Sequence, residues 1–97
     1  MNKTIYKYNT VEKGFTQKFT IQMPKGAELL SIQIDGKTFA PTIWALVDPN
    51  QELEERYFEL FGTGHDIPCD MGVERKYVGT YQYQKGEFVG HVFERIN

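Results

Sequence analysis

Cysteine occurs once in this 97-residue chain, at Cys69. A lone thiol forms no internal disulfide and cannot supply the paired thiolates of a structural zinc site, so packing and backbone pairing must hold the fold together. Long apolar runs are missing too. No stretch approaches the roughly 20 apolar residues that a membrane helix needs. The opening Met1-Asn2-Lys3-Thr4-Ile5 lacks the apolar run of a signal peptide, so the expected location is cytosolic and no membrane partner is expected. Basic charge is not in excess: 11 Lys and Arg stand against 13 Asp and Glu, a net charge of −2. That is no concentrated Lys/Arg footprint, and nucleic acid is not an expected partner. Helical periodicity, internal repeats and low-complexity tracts are all absent.

Aromatic residues are plentiful instead: six Tyr, seven Phe and one Trp, 14% of the chain. Each ring buries on the order of 150–250 Å². A chain this short hides about 60–65% of its unfolded surface, enough for one modest core. A single all-β domain over residues 1–97 is the expectation. Charge is segregated along the chain. Residues 1–40 carry six Lys and three acids, residues 48–74 eight acids and only Arg56, and residues 75–97 a net +2. Two arrangements fit: an acidic face beside a basic one, or signs interleaved between neighbouring strands.

The hydrophobic period is close to two, as expected when side chains alternate across a strand. Thr4–Val11 opens the series. In Phe15–Met23 the odd positions Phe15, Phe19, Ile21 and Met23 are apolar, and Pro24 with Gly26 stops the run. Leu29–Ile34 follows, with Leu30, Ile32 and Ile34 expected inward. Asp35-Gly36 reads as a two-residue hairpin turn returning along Lys37–Ala40. Pro41 breaks that return. Thr42–Val47 holds the one continuous five-residue apolar run and belongs at the centre of a sheet. Leu53–Phe61 reads as a strand with a charged start, although its first half also has helical propensity. Gly62 to Gly72 is irregular. Lys76–Tyr83 places Tyr77, Tyr81 and Tyr83 on one face, and Lys85-Gly86 turns the chain into Phe88–Arg95. Gly79 and Gly90, inside these last strands, mark bulges or close backbone approaches. Seven or eight short strands with tight turns imply a small antiparallel barrel or a two-layer β-sandwich.

Candidate chemistry centres on Phe61-Gly62-Thr63-Gly64-His65-Asp66. Two glycines flanking a threonine just past a strand can aim successive backbone N–H groups at one point. Gly62, Thr63, Gly64 and His65 are therefore the candidate binding residues for a small, nucleotide-like anion. The competing account is a glycine-rich turn whose Thr and His satisfy local backbone groups; no P-loop frame accompanies it. His91 sits mid-strand, where a histidine is usually a hydrogen-bonded, half-buried residue. Trp44 is either core or part of an aromatic patch for a partner, and Trp44, Tyr81 and His91 are the candidate contact residues. His65 with Cys69 is the one close nucleophile–base pair. Nothing activates that thiol, and no spacing gathers His65, His91 and Asp66 around a metal. No catalytic residue, metal or cofactor is expected.

The chain resembles a family of small uncharacterised proteins of tailed bacteriophages and prophages. Four parts carry the likeness: Ile5-Tyr6-Lys7-Tyr8; Met23-Pro24-Lys25-Gly26-Ala27 leading into Leu30-Ser31-Ile32-Gln33; Ile43-Trp44-Ala45-Leu46-Val47-Asp48; and Tyr57 to His65 together with Tyr77-Val78-Gly79-Thr80 and His91-Val92-Phe93-Glu94. Members often carry an aromatic before His-Val-Phe-Glu, where this chain has Gly90, and the Ile67–Lys76 connection is individual to it. The resemblance implies a phage-encoded accessory protein acting in the cytoplasm of an infected bacterium. Without a catalytic constellation, the expected function is non-enzymatic: binding a host protein or self-assembling as a homo-oligomer. Sequestering a small anionic ligand at the Gly62–His65 turn is the alternative.

Overall fold

The computed structural model describes residues 2–10, 18–69, 71–83 and 85–96. These residues form seven strands, in order β1 (Thr4–Asn9), β2 (Lys18–Pro24), β3 (Glu28–Ile34), β4 (Pro41–Val47), β5 (Leu53–Gly62), β6 (Arg75–Tyr83) and β7 (Phe88–Arg95). Val11 and Phe15, expected at strand ends, lie outside the described residues. Among the described residues there is no helix, and the charged start of β5 is extended. Among the described residues no helix is long and apolar enough to cross a membrane.

The strands make two antiparallel sheets, of order β1-β4-β3 and β2-β5-β7-β6. They do not close into a barrel, so the sandwich is the architecture. The chain changes sheet between β1 and β2, between β2 and β3 at the Pro24–Ala27 turn, and between β4 and β5 at Asp48–Gln51. The apolar run of β4 does take the central place in its sheet. Ile43, Ala45 and Val47 face inward beside Ile32 of β3, and they meet Met23, Phe58, Leu60, Tyr81 and Val92 of the other sheet. Phe19 stacks on Phe58 with ring centroids 5.3 Å apart. The sheets meet tightly at Gly79, where an added Cβ would stand 2.8 Å from Ile32 Cγ2 and 3.6 Å from the Ile32 backbone nitrogen. That space admits only glycine, as its place in a strand suggested.

Three local expectations are corrected. Asp35-Gly36 is not a two-residue hairpin turn, and Lys37–Ala40 is not a strand. Ile34 pairs directly with Pro41, and residues 35–40 form the loop. Asp35 explains why: its carboxylate accepts the Lys37 N–H at 2.9 Å and the Lys7 ammonium at 3.0 Å, while its carbonyl accepts the Phe39 N–H at 2.8 Å. An Asx-type turn thus replaces the hairpin turn, and the positive φ falls on Phe39 (57°) rather than on Gly36. Second, a bulge at Leu30 shifts the alternation of β3, so Leu29 packs toward the core and Leu30 points out. Third, a bulge at Val78 splits the tyrosines of β6. Tyr77 lies outside against Phe93, while Tyr81 and Tyr83 pack inward. The last turn matches its sequence, with Lys85 (φ 55°) and Gly86 (φ 89°) taking the conformation a tight hairpin requires.

Candidate functional site

Gly62 is the last residue of β5, paired with Gly90 of β7. The chain then turns sharply. The Thr63 N–H donates to the Val89 carbonyl at 3.3 Å, and the His65 N–H donates to the Gly62 carbonyl at 3.0 Å. Gly64, at φ 86°, reverses the direction. The His65 ring lies against the Gly62 Cα, where an added Cβ would fall 2.9 Å from Cε1. The turn is exposed. Two of the N–H groups that would cradle an anion therefore already have carbonyl partners.

The Thr63 hydroxyl turns toward His91. Its Oγ1 lies 2.7 Å from Nε2, and Thr80 Oγ1 lies 2.9 Å from Nδ1. The Tyr77 hydroxyl reaches Thr80 Oγ1 at 2.5 Å. This chain of four polar groups ties the end of β5 to β7 and β6 on the outer face of the four-stranded sheet. Both imidazole nitrogens are held by hydroxyls, which donate or accept as the tautomer demands. Thr80 and Tyr77 have no sequence signal linking them to His91; the β6–β7 register, Thr80 opposite His91, supplies it. Next to this chain Phe61 is buried, flanked by Phe93 and by the Arg75 guanidinium, 5.7 Å above its ring. Arg75 also donates to Glu59 at 2.8 Å and to the Pro68 carbonyl at 2.7 Å, tethering the 63–74 connection across this face. Among the described residues no group of three or more His, Cys, Asp or Glu side chains is placed to hold a metal ion.

Trp44 lies elsewhere. It is half-buried on the outer face of the three-stranded sheet, between Lys7 of β1 and Ser31 of β3. Lys7 Nζ sits 5.7 Å from its ring centroid while bonding Asp35. The Lys37 N–H first, and Lys7 second, hold the Asp35 carboxyl below the usual carboxylate range. Register places Ile5 and Leu46 on the same face, and the Leu30 bulge adds a leucine at its edge. Ile5 is 56% exposed, Leu30 48%, and Phe39 in the neighbouring loop 67%. Tyr81 does not join these contact residues. It is buried in the core, its ring tip beneath Gly90 and 6.2 Å from the Phe88 ring by centroids, and offers a partner no surface. Burial pushes its phenol up to about 12.

A family model describing a domain of unknown function matches residues 1–97. No curated protein and no solved structure matches the chain.

Proposed function

The chain belongs to that family, DUF7352, and we propose that it acts without catalysis, as an accessory protein working through protein–protein contact. The resemblance to phage and prophage proteins supports a setting in the cytoplasm of an infected bacterium, with a host protein or a further copy of the chain as partner. One observation carries the reading: the outer face of the three-stranded sheet shows Ile5 and Leu30 to solvent around half-buried Trp44 and Leu46. Covering apolar surface gains about 25 cal/mol per Å². Contiguous apolar surface on a small protein is the usual mark of a contact site.

The test is native mass spectrometry of affinity-tagged protein recovered from infected cells. The wild type is expected in a stoichiometric protein complex or oligomer. The variant Leu30→Glu is expected to lose it while its unfolding free energy changes by less than about 0.5 kcal/mol, the ordinary scale of a surface substitution. A wild type recovered as a lone chain carrying phosphate or a nucleotide overturns this reading in favour of anion binding at the Gly62–His65 turn.

A further inference from the structure

His91 stands where three strands meet. The register sets Phe61 of β5 and Thr80 of β6 opposite it. The bond from the Thr63 N–H to the Val89 carbonyl carries the β5–β7 ladder one step past its last pair, Gly62 and Gly90. Thr63 therefore follows Phe61 onto the face that carries the imidazole, because residues two apart in an extended chain share a face. Thr63 Oγ1 comes to 2.7 Å from His91 Nε2, and Thr80 Oγ1 to 2.9 Å from Nδ1. Thr63 is exposed and His91 half-buried, so the hydroxyl meets solvent while the ring behind it is held. A hydroxyl alone is a weak nucleophile. It is activated where a base lies within hydrogen-bond reach, about 2.6–3.2 Å, and a third group orients that base. Both separations fall in this range, and the Tyr77 hydroxyl holds the orienting Thr80 in turn. Thr38 makes the contrast: exposed too, its hydroxyl accepts from the Ala40 N–H at 3.4 Å, a group that takes up no proton.

We propose that Thr63 is a modification site: its hydroxyl accepts an acyl group from a small activated ester or thioester, with His91 as the base and Thr80 as the residue that positions it. With the imidazole proton on Nδ1 and donated to Thr80 Oγ1, Nε2 is left to accept from Thr63. Thr63 Oγ1 attacks the carbonyl carbon of the donor, and its proton passes to Nε2. The bond from that carbon to the leaving oxygen or sulfur then breaks, and the leaving group takes the proton from Nε2. One acyl group moves to Thr63 and one proton moves off it, with nothing oxidised or reduced. The product is a threonine ester on an exposed turn. This goes beyond the protein-contact reading and does not rest on it. A single transfer per chain needs no turnover, and the site lies on the four-stranded sheet, away from Trp44.

The probe is p-nitrophenyl acetate, used on the full chain in a Cys69→Ser background that removes the exposed thiol. Peptide mapping by mass spectrometry is expected to find acetyl on Thr63 and none on Thr38; acetylated lysines fall in other positions and are read separately. His91→Gln keeps a hydrogen-bonding side chain but no base, and should slow labelling of Thr63 about a hundredfold, within the usual range for general-base assistance. Thr80→Val should slow it about tenfold by releasing the ring from its attacking geometry. Thr80→Ser restores the hydroxyl and should restore the rate, a rescue that a merely structural role would not show. Circular dichroism and melting confirm that each variant is folded; if His91→Gln is not, the Thr80 pair decides. Acetyl found on lysines alone overturns the proposal. So does labelling of Thr63 at one rate in the parent, His91→Gln and Thr80→Val proteins. Leu30→Glu should label at the parent rate, so failure of the contact reading and failure of this one are told apart.

Discussion

Tyr81 and Gly90 share one space. A Cβ at position 90 would stand 2.6 Å from Tyr81 Cζ and 2.7 Å from its hydroxyl oxygen, closer than packed atoms tolerate. Gly90→Ala is expected to lower the unfolding free energy by about 1–3 kcal/mol in urea titration, the usual cost of overpacking. In a Tyr81→Leu background, which lacks those atoms, the same change should cost less, with a coupling of at least about 0.5 kcal/mol. The phenol supplies a second prediction. Its native value of about 12 stands above the ordinary 10 because burial disfavours the phenolate. The native state therefore keeps a proton that the unfolded chain gives up. The stability tied to this group is fully present below about pH 10 and falls as pH rises toward 12. Unfolding curves measured from pH 9 to 12 should show a shallower alkaline loss for Tyr81→Phe than for the wild type.

Strand by strand, alternation is legible where nothing interrupts it. β2 follows its odd-numbered apolar residues, and β7 occupies the residues expected of it. The errors fall where one residue is inserted into a ladder. Leu30 and Val78 are ordinary strand formers, so neither announces a bulge, and each reverses the faces of the residues on one side of it. Gly79, next to the second bulge, is the one signal that was there. Asp35-Gly36 misleads for another reason: a lysine in a distant strand and an N–H two residues along each donate to one oxygen of the Asp35 carboxylate. Arg56 and Glu94 show what polar residues on inward positions achieve. The Arg56 Nε donates to Glu94 Oε2, its Nη2 to Glu94 Oε1 at 2.9 Å and its Nη1 to the Ala27 carbonyl at 2.9 Å. The pair fastens neighbouring strands to the turn that joins the two sheets. Arg56→Met leaves a buried carboxylate without its partner and should cost about 3–5 kcal/mol by chemical denaturation. Adding Glu94→Leu should recover most of that loss, because no charge is then left unpaired.

For the whole molecule, the all-β fold class was readable from period-two patterning and the strand number to within one, but strand partners were not. β3 with β4 and β6 with β7 are chain neighbours; β1 with β4 and β2 with β5 are not. The candidate site divides the same way. The Gly62–His65 turn is visible as a local motif, and His91 as a histidine needing partners. Thr80 and Tyr77 reach it through strand pairing, and the apolar outer face emerges only once Ile5, Leu30, Trp44 and Leu46 are brought together from three strands. Signs interleave between strands: Glu59 of the acidic middle pairs with Arg75, while Arg56 of that stretch pairs with Glu94.

The long reach of the first strand also bears on synthesis. Asn9 is matched to Thr42 and Thr4 to Val47, so β1 is synthesised well ahead of the strand it lies against. Translation proceeds at about 5–20 residues per second, so β1 waits seconds for its partner strand to be made.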